Sequence, residues 1–131
     1  MRQIHPDKKN SASILEASQK QMKYTLTLTP TDESAFNIIR NIYECFRMIG
    51  DAILISRGLK SEDHIEQIRV LEKLKVETNR PLGLIDNLRR IRHNINYYGY
   101  SPKKIEAEEI ISFAKSCFIP LVNVAKKEIG I

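Results

Sequence analysis

The chain has 131 residues and a mass of 15.1 kDa, with 42% hydrophobic and 28% charged residues. That is the composition of one folded domain and not of a disordered or fibrous chain. Lys and Arg total 21 against 16 Asp and Glu, a net charge of +5. No apolar run approaches the roughly 20 residues of a membrane-spanning helix, and Met1 to Asn10 carries no apolar segment of the secretory type.

These features lead us to expect a cytoplasmic protein with no membrane attachment. Cys45 and Cys117 fall inside apolar helical patterns and read as buried, reduced thiols. Two isolated cysteines and three scattered histidines make no zinc pattern, so neither metal nor cofactor is expected.

Residues 1–10 read as a flexible tail and residues 11–131 as a single helical-bundle domain. A first helix is expected from Ser11 or Ser13 to about Thr27, with Ile14, Met22 and Leu26 spaced by multiples of four. Thr25 to Thr29 alternates like a strand, but Pro30 stops it, and it reads as a fraying helix end.

Thr31 is expected to cap a long second helix, with Asp32 and Glu33 in its first turn. Phe36, Ile39, Tyr43, Phe46, Ile49, Ile53 and Leu54 form its apolar pattern, and Gly58 is the stop. Ser61 is the expected cap of a third helix carrying Ile65, Ile68, Leu71 and Leu74. Pro81 fits the first turn of a fourth, whose stripe is Leu84, Leu88, Ile91, Ile95 and Tyr98, ending at Gly99. Ser101 and Pro102 precede a fifth, with Ile105, Ile110, Phe113, Cys117 and Leu121 toward the core and a kink or break at Pro120. The fold expected is all-α, an antiparallel up-and-down bundle of four to five helices with the second and fourth at its centre.

The charge is uneven. Between Thr78 and Lys104 stand six basic residues and one acid, a net +5 that accounts for the whole excess of the chain. A concentrated basic segment points toward phosphate-bearing partners more than a dispersed one does. Within it, Asn87 to Tyr100 reads NLRRIRHNINYYGY. At about 100° per residue, Arg89, Arg92, His93 and Asn96 share an arc beside the apolar stripe. Guanidinium, imidazole and amide groups so grouped can hold a phosphate. The same residues also suit a solvated basic face whose Arg stems cover apolar surface.

Glu62, Asp63, His64 and Glu66 gather at one helix start, where first-turn acids are ordinary dipole compensation. No Gly-x-Ser-x-Gly elbow, phosphate loop or dinucleotide fingerprint occurs.

The run RHNINYYGY preceded by LRRI, together with the upstream MIGDAILISRGLKSEDH, resembles the HEPN superfamily, the higher-eukaryote and prokaryote nucleotide-binding domain, in its small prokaryotic form. The resemblance covers roughly residues 31 to 128. It implies a dimeric helical bundle and, in active members, a metal-independent ribonuclease. Several members are toxin–antitoxin components paired with a small nucleotidyltransferase.

By that resemblance Arg92 is the motif arginine and His93 stands where the motif usually has Asn. The motif His falls at Tyr97 or Tyr98. A phenol with a pKa near 10 is a poor proton shuttle at neutral pH, so the motif is degenerate at this point. Arg92, Tyr97 and His93 are therefore the candidate catalytic residues. Arg89, Arg92, His93 and Asn96 are the candidate RNA- or nucleotide-binding residues. The implied partners are a second copy of the chain, RNA or a nucleotide, and a small nucleotidyltransferase. The alternative to a ribonuclease is a non-catalytic dimeric module that binds the nucleotidyltransferase.

Overall fold

The helix Ala35–Ser56 organises everything else. Fourteen of its 22 residues are buried, so it is wrapped on most sides. In the computed structural model, which describes residues 1–131, this is α2. The other helices are α1 (Lys8–Thr25), α3 (His64–Glu72), α4 (Leu84–Tyr98) and α5 (Lys104–Ile129). Together they form the five-helix up-and-down bundle that the hydrophobic periods predict. α2 packs against all four of the others. No helix is long and apolar enough to cross a membrane.

The centre is the seam between α2 and α5. Phe46 stacks on Phe113 and meets Phe118 edge-on, each at 5.6 Å between centroids. Ile38, Ile42, Ile49, Leu121 and Ala125 close around them. Each fully buried Ile, Leu or Phe contributes roughly 1.5–3 kcal/mol of transfer free energy. α1 lies on another side of α2 and buries small polar residues between its apolar ones. Ser18 and Thr25 donate their hydroxyls back to the carbonyls of Leu15 and Gln21 at 2.7 and 2.8 Å. This satisfies both groups within the helix and permits their burial.

Two close approaches set the ends of α2. Gly58 takes a left-handed φ of 77°, which turns the chain out of the helix. A Cβ there would sit 2.9 Å from the carbonyl oxygen of Ile4. That carbonyl belongs to residues expected to form a free tail. Residues 1–10 are instead fastened. Arg2–Gln3 (β1) pairs antiparallel with Leu59–Lys60 (β2), and the Ile4 and Asp7 amides donate to the carbonyls of Gly58 and Ile55. Asp7 caps α1 by accepting from the Asn10 amide at 2.9 Å, so this helix begins at Lys8, ahead of the expected serines.

Other boundaries also move for local reasons. Thr31 does cap, but it caps the turn ahead of α2, accepting from the Ser34 amide at 3.0 Å. Asp63, not Ser61, caps α3, its carboxylate taking the amides of Ile65 and Glu66. Asp32 reaches across to accept the Lys104 amide at 2.8 Å, tying the start of α5 to the entry of α2.

Three expectations are corrected. α4 is peripheral: only Ile85 and Leu88 are buried, because α5 and α1 already fill the sides of α2. Its far end leaves the core, and Tyr98 is 76% exposed. Ile105 also faces outward, while Ala107 and Ile110 take the core side. Finally, α5 runs on through Pro120 without a break. Phe113, Cys117, Phe118, Leu121 and Val122 are buried on both sides of the proline and hold its helical phase, outweighing one lost backbone hydrogen bond.

Candidate functional site

α3 and the second half of α4 enclose a cleft of about 340 Å³ lined by Asp63, His64, Ile65, Arg89, Arg92, His93 and Tyr97. α4 supplies one wall from the residues beside its apolar stripe, whose Ile91 and Ile95 stay packed on the core. α3, short and capped by Asp63, starts opposite it. A larger depression of about 600 Å³ lies between the α1–α2 connection and α5. Its lining of Leu26, Leu28, Pro30, Glu108, Ile111, Ser112, Lys115 and Ser116 brings no imidazole or guanidinium together. Convergent chemistry, not size, singles out the α3–α4 cleft.

Tyr43 of α2 lies beneath. Its hydroxyl shares a 3.0 Å hydrogen bond with Nδ1 of His64, and the Arg92 guanidinium rests 5.9 Å from its ring centroid. Burial pushes the phenol up to about 12 against the pull of Arg92, Arg47 and Arg89, so it keeps its proton. Burial also pushes the His64 imidazole below its ordinary value of 6.5, and the charges of Arg47 and Arg92 add to the effect. His64 is therefore neutral at pH 7. One turn along α2, Arg47 donates Nε to Glu44 at 2.9 Å, closing a pair that holds the Glu44 carboxyl below its usual range.

Of the arginines in the basic segment, Arg80, Arg89 and Arg90 are ion-paired and Arg92 is not. Asp86 holds Arg89 through Nε at 2.9 Å, which leaves the terminal nitrogens of its fork for a ligand. The His93 ring lies 4.7 Å from that of Tyr97, tilted by 40°, and meets Tyr98 edge-on at 5.7 Å. Tyr100 donates its hydroxyl to Glu106 at 2.6 Å, which pins the turn after α4 to the start of α5.

Arg89, Arg92, His93 and Tyr97 thus meet in one cleft. Asn96 does not line it, because its side-chain oxygen accepts from Arg40 of α2 at 3.1 Å. Tyr98 stands on the rim beside His93 and outside the lining. His64, read at first as one of a group at a helix start, is a wall of the cleft. Tyr43, Glu44 and Arg47 were not among the candidates. Their signal was present as polar groups at three- and four-residue spacing inside an otherwise apolar helix. No group of three or more His, Cys, Asp or Glu side chains comes together as a metal cluster.

Fold and cleft together define a five-helix bundle with a basic, two-histidine cleft at one side. No family model, no curated protein and no solved structure matches this chain.

Proposed function

We propose that this protein is a HEPN-like bundle that binds RNA through the α3–α4 cleft and cleaves it without a metal. One observation carries the reading: Arg89, Arg92, His93 and Tyr97 line the same cleft, and Arg92 is free of ion pairs. An unpaired guanidinium seeks a planar or tetrahedral oxyanion, and phosphate fits its fork. Tyr97 is 68% exposed and offers a ring on which an unpaired base can stack. A free nucleotide shares this chemistry, and comparing it with RNA measures how much the chain beyond one phosphate contributes.

The test is fluorescence anisotropy with a pool of random-sequence 20-mer single-stranded RNA across a salt series. Binding should fall steeply with salt and should be lost when Arg89 and Arg92 are both replaced by Ala. Binding by that double variant equal to wild type would overturn the reading.

A second reading is a homodimeric, non-catalytic module that engages a nucleotidyltransferase. It is favoured by one feature. Tyr98, Tyr100 and Ile105 are 76%, 41% and 74% exposed at the same end of the molecule, and exposed aromatics of this kind are enriched at interfaces. Both readings expect a dimer, so sedimentation at micromolar concentration tests that shared expectation, and a folded dimer that cuts no RNA supports this second reading over the first.

A further inference from the structure

A ribonuclease of the kind proposed needs a group to take the proton of the attacking 2′-hydroxyl, and the degenerate motif on α4 supplies none at Tyr97. We infer that His64, on α3, is that group, and that Tyr43 positions it. The inference rests on the RNA reading of the same cleft.

The geometry supplies three things. His64 lines the cleft together with Arg89, Arg92 and His93, so its imidazole and the phosphate-binding forks open onto one space. Its Nδ1 is engaged by the Tyr43 hydroxyl at 3.0 Å. The reaction uses the tautomer in which that nitrogen donates its proton to the phenol oxygen, which leaves the lone pair of Nε2 for the substrate. This is the arrangement of a base oriented by a third group. The Tyr43 ring is itself immobilised, being 1% exposed within the α2 core and covered by Arg92.

The charged and titratable groups around His64 come from all three helices. α2 brings Glu44 and Arg47, α3 brings Asp63, and α4 brings Arg92, with Arg89 and His93 across the cleft. Burial and the two arginines dominate over the two carboxylates and keep the imidazole neutral.

The reaction is a transphosphorylation. The ribose 2′-oxygen bonds to the adjacent phosphorus while its proton passes to Nε2 of His64. Arg92 and Arg89 hold the non-bridging oxygens as negative charge grows on them. The bond from phosphorus to the 5′-oxygen breaks, and that oxygen leaves with a proton taken from a solvent water. The imidazolium then gives its proton to the hydroxide so formed. One product ends in a 2′,3′-cyclic phosphate and the other in a 5′-hydroxyl. The substrate class is therefore RNA with a free 2′-hydroxyl.

The experiment uses the full chain with the random 20-mer RNA pool and its all-2′-deoxy counterpart. Binding is followed by anisotropy, cleavage by gel, and fold by circular dichroism. Wild type should cut RNA with EDTA present, leave cyclic-phosphate ends, and bind the deoxy pool without cutting it. His64→Gln should bind RNA within about twofold of wild type and lose cleavage by about 100-fold or more. The cleavage rate of wild type should rise with pH through a bend below 6.5, and the residual rate of His64→Gln should lack that bend. Tyr43→Phe should keep the RNA Kd, lower kcat and move the bend. A purely structural role for the phenol would leave the bend in place.

RNA bound but never cut overturns this inference and the cleavage part of the proposed function, and leaves RNA binding standing. Cleavage undiminished in a folded His64→Gln, or cleavage of the deoxy pool, overturns this inference. Failure to bind RNA at all overturns both.

Discussion

The guanidinium of Arg92 lies 5.9 Å from the ring centroid of Tyr43, between the core of the bundle and the open cleft. The contact joins α4 to α2, and it orients a cation that makes no ion pair. Arg92→Ala should therefore weaken RNA binding by roughly 1–3 kcal/mol, the range for a charge-assisted hydrogen bond. Arg92→Lys keeps the charge and loses the planar fork, so it should recover only part of that affinity. Anisotropy titrations of the three proteins at one salt concentration give the comparison. Full recovery by Lys would mean that Arg92 acts as a point charge.

Tyr97→His is expected to raise RNA cleavage. The residue is exposed, lines the cleft and meets the His93 ring in a tilted contact at 4.7 Å. An imidazole therefore fits there without disturbing the core. It places a group titrating near 6.5 where the motif resemblance calls for one. The pH–rate curve of the variant should gain a bend near that value. If its curve is superimposable on that of wild type, Tyr97 does not stand at the acid–base position of the motif.

The helices were legible because their hydrophobic periods are long and regular. Phe46, Ile49 and Ile53 mark α2 without ambiguity, and Gly58 and Gly99 end helices as their lack of a side chain predicts. The expected position of α4 at the centre was wrong for a tertiary reason. A stripe from Leu84 to Tyr98 shows an amphipathic helix, but not how deeply it is covered, and here Ile91 and Ile95 are only partly buried on the core and Tyr98 lies outside it.

The site was half legible for a similar reason. Arg89, Arg92 and His93 lie within five residues of sequence, so helix geometry alone groups them. Tyr43 and His64 stand 21 residues apart on different helices and meet only because Gly50 lets α3 come close to α2. Periodicity carries no information about that crossing.

Gly50 supplies a stability test. A Cβ built there would sit 2.0 Å from the carbonyl oxygen of Gln67 in the facing backbone of α3. Backbone cannot swing aside as a side chain does, so the two helices must part. Gly50→Ala should cost stability at or beyond the upper end of the roughly 1–3 kcal/mol typical of overpacking. It gains helix propensity of about 1 kcal/mol, which offsets only part of this. The separation should also strain the 3.0 Å bond from the Gln67 amide nitrogen to the buried Asp51 carboxylate. Urea denaturation measures the loss. An unchanged midpoint would mean that α3 slides freely on α2.

The two cysteines should resist alkylation in the native protein. Both are free and buried, and burial pushes the Cys45 thiol up to about 12. Only the thiolate reacts, so iodoacetamide at pH 8 should modify neither until urea unfolds the chain, and mass spectrometry should then find both labelled. Fast labelling of Cys45 in native buffer would show that the centre of α2 opens readily.

The pH dependence of stability follows from two groups at the cleft. The folded protein holds His64 below 6.5 and Glu44 below its ordinary 4.5, so in each case the unfolded chain binds the proton first. Where the unfolded state binds more protons, stability rises with pH. Stability should therefore begin to fall as pH drops below about 6.5, continue until His64 is protonated in the folded state, and fall again below about 4.5 as Glu44 loses its charge and its bond to Arg47. Urea midpoints measured from pH 8 to pH 3.5 should trace both steps. His64→Gln should flatten the upper step alone, because glutamine does not titrate. Glu44→Gln should lower the plateau and flatten the lower step, since the Arg47 guanidinium loses its carboxylate at every pH. An upper step that persists in His64→Gln would remove the thermodynamic support for a neutral His64 in the native cleft.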